Sequence, residues 1–198
     1  MTALEKAEAT DGRRVRGAEN RRKIVEAMLA LIGEGAIAPG AEMVAARAEV
    51  GLRTVFRHFD DMESLYREIS ARMNEELMPI AAAPLPEGDG RARLNELAAR
   101  RARVFERMMP FKIAADVHKH RSRFLTEEQA GMAAFMRASL IEALGPELAR
   151  DKQRLEALDM LLSFDVWRRL RVDQNLTVAQ AKKLVAQMVD AVFDASDK

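Results

Sequence analysis

Ile24, Met28, Leu31 and Ile32 stand at i, i+4, i+7 and i+8, a one-sided apolar stripe that closes at Gly33 and Gly35 and predicts a helix. Pro39 and Gly40 mark a loop, after which Met43, Val44, Ala46 and Ala48 predict a second helix of about two turns. Glu49, Val50 and Gly51 interrupt it. A third short helix runs from Leu52 to about Phe59, and Asp61 is placed to cap a fourth, in which Leu65, Ile69, Met73 and Leu77 recur every four residues. The stretch PLPEGDG, residues 84–90, is the strongest loop signal in the chain and divides it into two helical series.

In the second series, Leu94, Leu97, Val104, Phe105 and Met108 predict a helix from Arg91 that stops before Pro110, followed by a shorter one from Phe111 to about His120. Thr126 with Gln129 fits a capping box that opens a helix through Met132, Phe135, Met136 and Leu140 and ends near Gly145 and Pro146. Leu155, Leu158, Leu161, Leu162, Val166 and Leu170 predict a further helix, and Thr177 with Gln180 a second capping box that opens the last, to about Ala195. No alternating β-branched run predicts a strand. The expected class is all-α, with about nine helices.

Composition narrows the chemistry. The chain of 198 residues can bury a sizeable core, and with no cysteine it has no disulfide, thiolate metal site or cysteine nucleophile. A reducing cytoplasm is the expected compartment. Arg, Glu or Asp interrupts every apolar stretch, so no transmembrane span is predicted, and residues 1–17 carry no export pattern. The net charge of +1 supplies no global attraction to nucleic acid or membrane, so any such partner must be met locally. One local asymmetry exists: from Arg13 to Lys23 six cations stand against the single anion Glu19. Residues 1–19 show no hydrophobic period and read as a flexible basic arm, either a solvated tail or a nucleic-acid contact.

Three consecutive short helices, the last two joined by only a few residues, are the layout of a helix-turn-helix, whose second helix enters the DNA major groove. The string VAARAEVGLRTVFRHFDDMESL, residues 44–65, resembles the helix-turn-helix of the TetR family of transcription regulators, chiefly in Val44, Ala45, Ala48, Val50, Thr54, Val55, the run Phe56-Arg57-His58-Phe59, and Leu65. The resemblance covers residues 15–70 in sequence and the remainder in length and helix count. Side-chain chemistry points the same way: Arg53 and Arg57 can pair with guanine O6 and N7, and Leu52 and Thr54 can meet a thymine methyl. Phe56 and His58 complete the candidate surface, His58 as a helix-capping or phosphate-facing residue, with Arg13, Arg14 and Arg16 of the arm as phosphate or minor-groove contacts. The chain departs from the family pattern with Gly40 and Ala41 in place of a hydroxyl residue, Phe56 for Tyr and Met62 for Lys, each a lost backbone grip. Glu49 replaces the usual turn glycine, and Gly51 a frequent serine.

The resemblance implies a helix-turn-helix domain over residues 20–66 and a helical effector-binding and dimerisation domain over residues 67–198. It implies a homodimer through the last two helices, double-stranded operator DNA as partner, and a small-molecule pocket. Phe105, Met109, Phe111, His118, Met132, Phe135, Met136, Phe164, Asp165 and Trp167 are the candidate lining residues, and their scarcity of polar anchors suits an apolar or weakly polar effector. Asp165 is open between a pocket acceptor and a dimer-interface hydrogen bond. His118 and His120 lie about 200° apart around a helix and do not suit a shared metal. No catalytic motif, metal site or cofactor is expected. The function implied is a repressor released by its effector from a pseudo-palindromic operator. An activator or ligand-independent regulator is the alternative within DNA binding, and a helical protein adaptor the alternative outside it.

Overall fold

The structure, a computed structural model, describes the backbone of residues 3–195 and the side chains of residues 14–195 apart from Leu148. The described residues form nine α-helices and no strand: α1 Ala3–Gly33, α2 Ala41–Arg47, α3 Leu52–His58, α4 Met62–Ala81, α5 Gly90–Asp116, α6 Arg123–Leu148, α7 Lys152–Leu161, α8 Phe164–Arg168 and α9 Val178–Asp194. A single tight turn, Lys119–Arg121, precedes α6, and a wide π turn, Arg169–Asp173, extends α8. The chain divides into two compact units, Met1–Met73 with Pro110–Thr126, and Asn74–Met109 with Glu127–Lys198. The segment 110–126 thus joins the first unit, although the sequence reading gives it to the second.

The first unit closes around one core. Ile24, Val25, Met28 and Ile32 of α1 pack with Val44 and Ala45 of α2, Val55 of α3, and Leu65, Tyr66 and Ile69 of α4, all buried. Phe111 and Ala114 of α5 complete it. The apolar stripe of α1 behaves as its spacing predicts, but the helix begins earlier: residues 3–19, expected as an arm without regular structure, are its first turns. They are rich in Ala, Glu, Lys and Arg, residues of high helix propensity. The Asp61 cap forms, with the Ser64 N–H donating to Asp61 Oδ1 at 2.8 Å.

Three boundaries differ from the pattern. Helix α5 continues through Pro110 instead of stopping before it. Proline removes one backbone bond, and the helix carries buried residues on both sides of it, Met108 before and Phe111 and Ala114 after. The box expected at Thr126 does not open α6: Ser122 accepts from the Leu125 N–H at 3.1 Å, and Thr126 turns its hydroxyl back to the Lys119 and Ser122 carbonyls, each at 3.0 Å. The single helix expected over Leu155–Leu170 is two, because Ser163 accepts from the Val166 N–H at 3.3 Å and starts α8 anew. The other signals hold. Gly145 breaks α6 at φ 78°, and Thr177 with Gln180 forms the full capping box of α9.

Arginines close many of the helix ends. Arg100 donates to the Ala83 carbonyl and, at 3.0 Å, to that of Pro84 just beyond α4. Arg93 donates to the Ala143 carbonyl at 2.8 Å before the Gly145 break. Arg101 reaches the Leu162 carbonyl at 3.0 Å, the Met136 carbonyl and the Ser139 hydroxyl. Carbonyls in the last turn of a helix have no internal donor, and a guanidinium offers several N–H groups in a fixed plane.

Candidate nucleic-acid interface

Between α2 and α3 the chain turns in four residues. The Ala48 and Val50 N–H groups donate back to the Val44 and Ala45 carbonyls at 2.9 and 3.0 Å, and Glu49 takes the left-handed conformation at φ 55°. That conformation costs a non-glycine residue about 1–2 kcal/mol. Gly51 caps α3 in extended backbone, with the Thr54 N–H donating to its carbonyl at 2.7 Å. With no side-chain hydroxyl at Gly51 or Gly40, neither short helix has a side-chain cap.

A helix advances about 100° per residue, so Leu52, Arg53, Phe56 and Arg57 fall within about 140° of arc on α3. All four are exposed, and two are large apolar groups, Leu52 at 39% and Phe56 at 48%. Val55, on the opposite side, is buried and fixes the rotation of the helix, while Thr54 is half-buried between the two faces. Neither Arg53 nor Arg57 has an ion pair or hydrogen bond among the described residues, so both guanidinium groups are available to an external acceptor. Arg14 and Arg16 are exposed on α1. The side chain of Arg13 lies outside the described residues.

His58 is placed differently from its expectation. Its Nε2 is buried without a hydrogen-bond partner, and a methyl group on Gly17 of α1 would stand 3.9 Å from the ring. That nitrogen faces the protein, not a phosphate. Burial, then the charges of Arg57 and Arg21, hold the imidazole below its ordinary pKa, which favours the neutral ring.

Arg21 is the residue that the pattern does not single out. It donates from Nη1 to the His58 carbonyl at 2.6 Å, from Nε to Glu68 Oε1 at 3.1 Å and from Nη2 to Glu68 Oε2, with its guanidinium 4.4 Å from the centre of the Phe59 ring. It therefore ties the carboxyl end of α3 to α1 and α4. Arg22 is likewise engaged, with Glu19 and Glu26 at 2.8 and 2.7 Å. Two of the six clustered cations thus serve the fold. The signal in the sequence is position: Arg21 lies three residues before Ile24 and four before Val25, on the edge of the buried stripe.

The expected effector residues are divided between the two units. Phe111 and His118 belong to the first unit, where each packs on the buried Tyr66 ring, at 6.1 and 5.3 Å between ring centres. The Tyr66 hydroxyl has no hydrogen-bond partner, and burial pushes its pKa up to about 12. In the second unit Phe105 and Phe164 meet edge to face at 5.6 Å as core, and Met109, Met132, Phe135 and Met136 are half-buried. Asp165 is exposed in the first turn of α8 and acts as no buried pocket acceptor. Trp167 alone of the ten lines a cavity in the second unit between α5 and α9, which the apolar pattern does not anticipate.

No family model matches the sequence, and no curated protein matches it. Solved structures do. A transcriptional regulator from Rhodococcus sp. Rha1 superposes with a TM-score of 0.64 at 17% identity, over 90% of this chain and 98% of that one. A TetR transcriptional regulator from Rhodococcus sp. RHA1 gives 0.55 at 16%, over 90% and 98%. A protein of Mesorhizobium loti MAFF303099 assigned to the TetR family gives 0.61 at 18%, over 90% and 96%. The chain has the fold of TetR-type transcriptional regulators.

Proposed function

We propose that the protein is a sequence-specific DNA-binding regulator of transcription and not an enzyme. The observation that carries this is the exposed face of α3, where Arg53 and Arg57 stand beside Leu52 and Phe56 on a helix held from behind by Val55 and Arg21. Such a face meets the requirements of a recognition helix: donors for guanine, apolar groups for thymine methyls, and a rigid mount. Thr54 at its edge, with Arg14, Arg16 and Arg13 of α1, completes the DNA contacts, the arginines meeting phosphates. His58 in this reading supports the helix from within.

The finer reading is a cytoplasmic homodimer that represses from a pseudo-palindromic operator and is released when a small effector favours a spacing of the two heads that no longer fits. Much of the apolar stripe expected for dimerisation is already used inside the chain, since Leu155, Leu158, Leu161, Leu170, Val185 and Val189 are buried. Met160, Val172 and Met188 remain exposed on the last elements and are the contacts offered to a second copy. No helix among the described residues is long and apolar enough to cross a membrane. Selection of bound duplexes from a random pool tests the reading: a recurrent, inverted-repeat sequence is expected, and recovery of unrelated sequences would refute it. A reporter downstream of that sequence then separates repression from activation.

A further inference from the structure

Three alanines, Ala98, Ala99 and Ala102, fall on one side of α5, where they present nothing beyond a methyl group to Val185 and Ala186 of α9. The gap between the helices is a cavity of about 290 Å³, bounded on another side by Trp167. That volume sits at the small end of the range that small-molecule sites occupy. The indole is fixed in place: its Nε1–H donates to Glu106 Oε1 at 2.8 Å, and Arg171 Nε donates to the same oxygen at 2.7 Å. The polar edge of the ring and the Glu106 charge are therefore both satisfied, and Trp167 offers the cavity an apolar surface.

The charges at the rim sum to zero but are unevenly paired, one arginine serving two aspartates. Asp190 is paired with Arg91 at 2.7 Å, with Arg91 held also by Asp194. Lys182 lines the same cavity, is exposed, and has no acidic partner among the described residues. Asn95 adds a side-chain amide. The cavity thus combines an apolar lining with one exposed ammonium that has no ion-pair partner among the described residues.

We propose that this cavity between α5 and α9 binds a small arylalkyl carboxylate, its ring between the alanines and Trp167 and its carboxylate on the Lys182 ammonium. The apolar lining takes the ring, the volume limits the body to about one ring with a short chain, and the Lys182 ammonium takes the anion. The binding step stands on this geometry alone; that the occupant is the effector rests on the regulator reading.

Trp167 is the only tryptophan of the chain, so its fluorescence reports on this cavity directly. The probe is 3-phenylpropanoate, with neutral 3-phenylpropanamide beside it. Wild-type protein is expected to show a saturable change with the carboxylate, and about tenfold weaker binding of the amide, the loss that follows from removing one charge-assisted contact. Lys182→Met should weaken the carboxylate by the same factor without affecting the amide, whereas Lys183→Met on the neighbouring exposed position should leave both unchanged. Ala99→Leu should abolish binding of both, with thermal melting showing that the variant folds. Absence of a saturable change into the millimolar range, or equal affinity in wild type and Lys182→Met, would overturn the proposal. Adding the probe to a protein–operator complex separates the two readings: binding at Trp167 without release of DNA keeps the site and removes the effector role.

Discussion

Arginine does opposite work in the two units. On α3 of the first, Arg53 and Arg57 stand in solvent with no partner among the described residues. In the second, Arg100 and Arg101 are 5% and 6% exposed and give their N–H groups to carbonyls at helix ends. Burial lowers the Arg101 pKa to about 10, still a cation at neutral pH, and its hydrogen-bond partners are carbonyls and a hydroxyl rather than a carboxylate. A buried cation so held is a fastener, since removing it takes a donor from three acceptors at once, two backbone carbonyls and a hydroxyl. The lesson is that residue type and local charge do not separate a recognition surface from a structural clamp. Position relative to the buried stripe does, and Arg21 shows it within the head itself.

The contrast is sharpened by substitutions that should act on one property only. Arg53→Ala with Arg57→Ala should cost about 2–6 kcal/mol of operator affinity, at about 1–3 kcal/mol for each base contact, and leave the melting temperature nearly unchanged. Arg101→Met should do the reverse, lowering stability by about 2–4 kcal/mol in denaturant titration, chiefly through the Leu162 carbonyl left without its donor. If the two pairs of effects were exchanged, the division of roles would be wrong.

Smaller effects should appear at two places in the head. Tyr66→Phe removes a hydroxyl that is buried without a partner and should raise stability by about 1 kcal/mol, read as a higher denaturation midpoint with unchanged slope. Glu49→Gly relieves the left-handed turn and should raise it by about 0.5–1 kcal/mol, the strain relief being offset in part by the freer unfolded chain. A loss of stability at either site would show that the side chain makes a contact that the structure does not contain.

The smallest effect concerns pH. His58 is held below its ordinary value of 6.5, so the unfolded state binds its proton first as pH falls. The stability that the neutral ring contributes is complete above pH 6.5 and declines as pH falls through the folded value. The exposed carboxylates Glu19, Glu34 and Glu156 are lowered from 4.5 by their arginine partners and act in a more acidic window. His58→Gln should therefore flatten the stability profile just below pH 6.5 and leave the acid limb in place.

Much of the fold was legible because it rests on local rules. The stripe Ile24–Ile32, the Asp61 cap, the Gly145 break and the Thr177–Gln180 box each need only a few neighbouring residues, and each is found where the spacing puts it. The errors arose where tertiary contacts decide. Pro110 stands inside α5, where Met108 before it and Phe111 and Ala114 after it are each buried by contacts distant in sequence. Ser163 splits a continuous apolar pattern that contains no glycine or proline to mark the place. The exposed face of α3 was legible because the helix is short and its outward positions follow from Val55. The cavity was not: its defining residues are alanines, which read as good helix formers, and its cation, Lys182, reads as one exposed lysine among many.

The central claim is that the α3 face reads DNA sequence, and the most direct measurement is fluorescence anisotropy of a labelled duplex, chosen by selection from a random pool, titrated with wild-type protein and with the Arg53→Ala, Arg57→Ala variant. Tight binding that resists scrambled competitor and physiological salt in the wild type, and is lost in the variant, is the predicted result. Equal binding by both proteins, weak and erased by salt, would contradict the account.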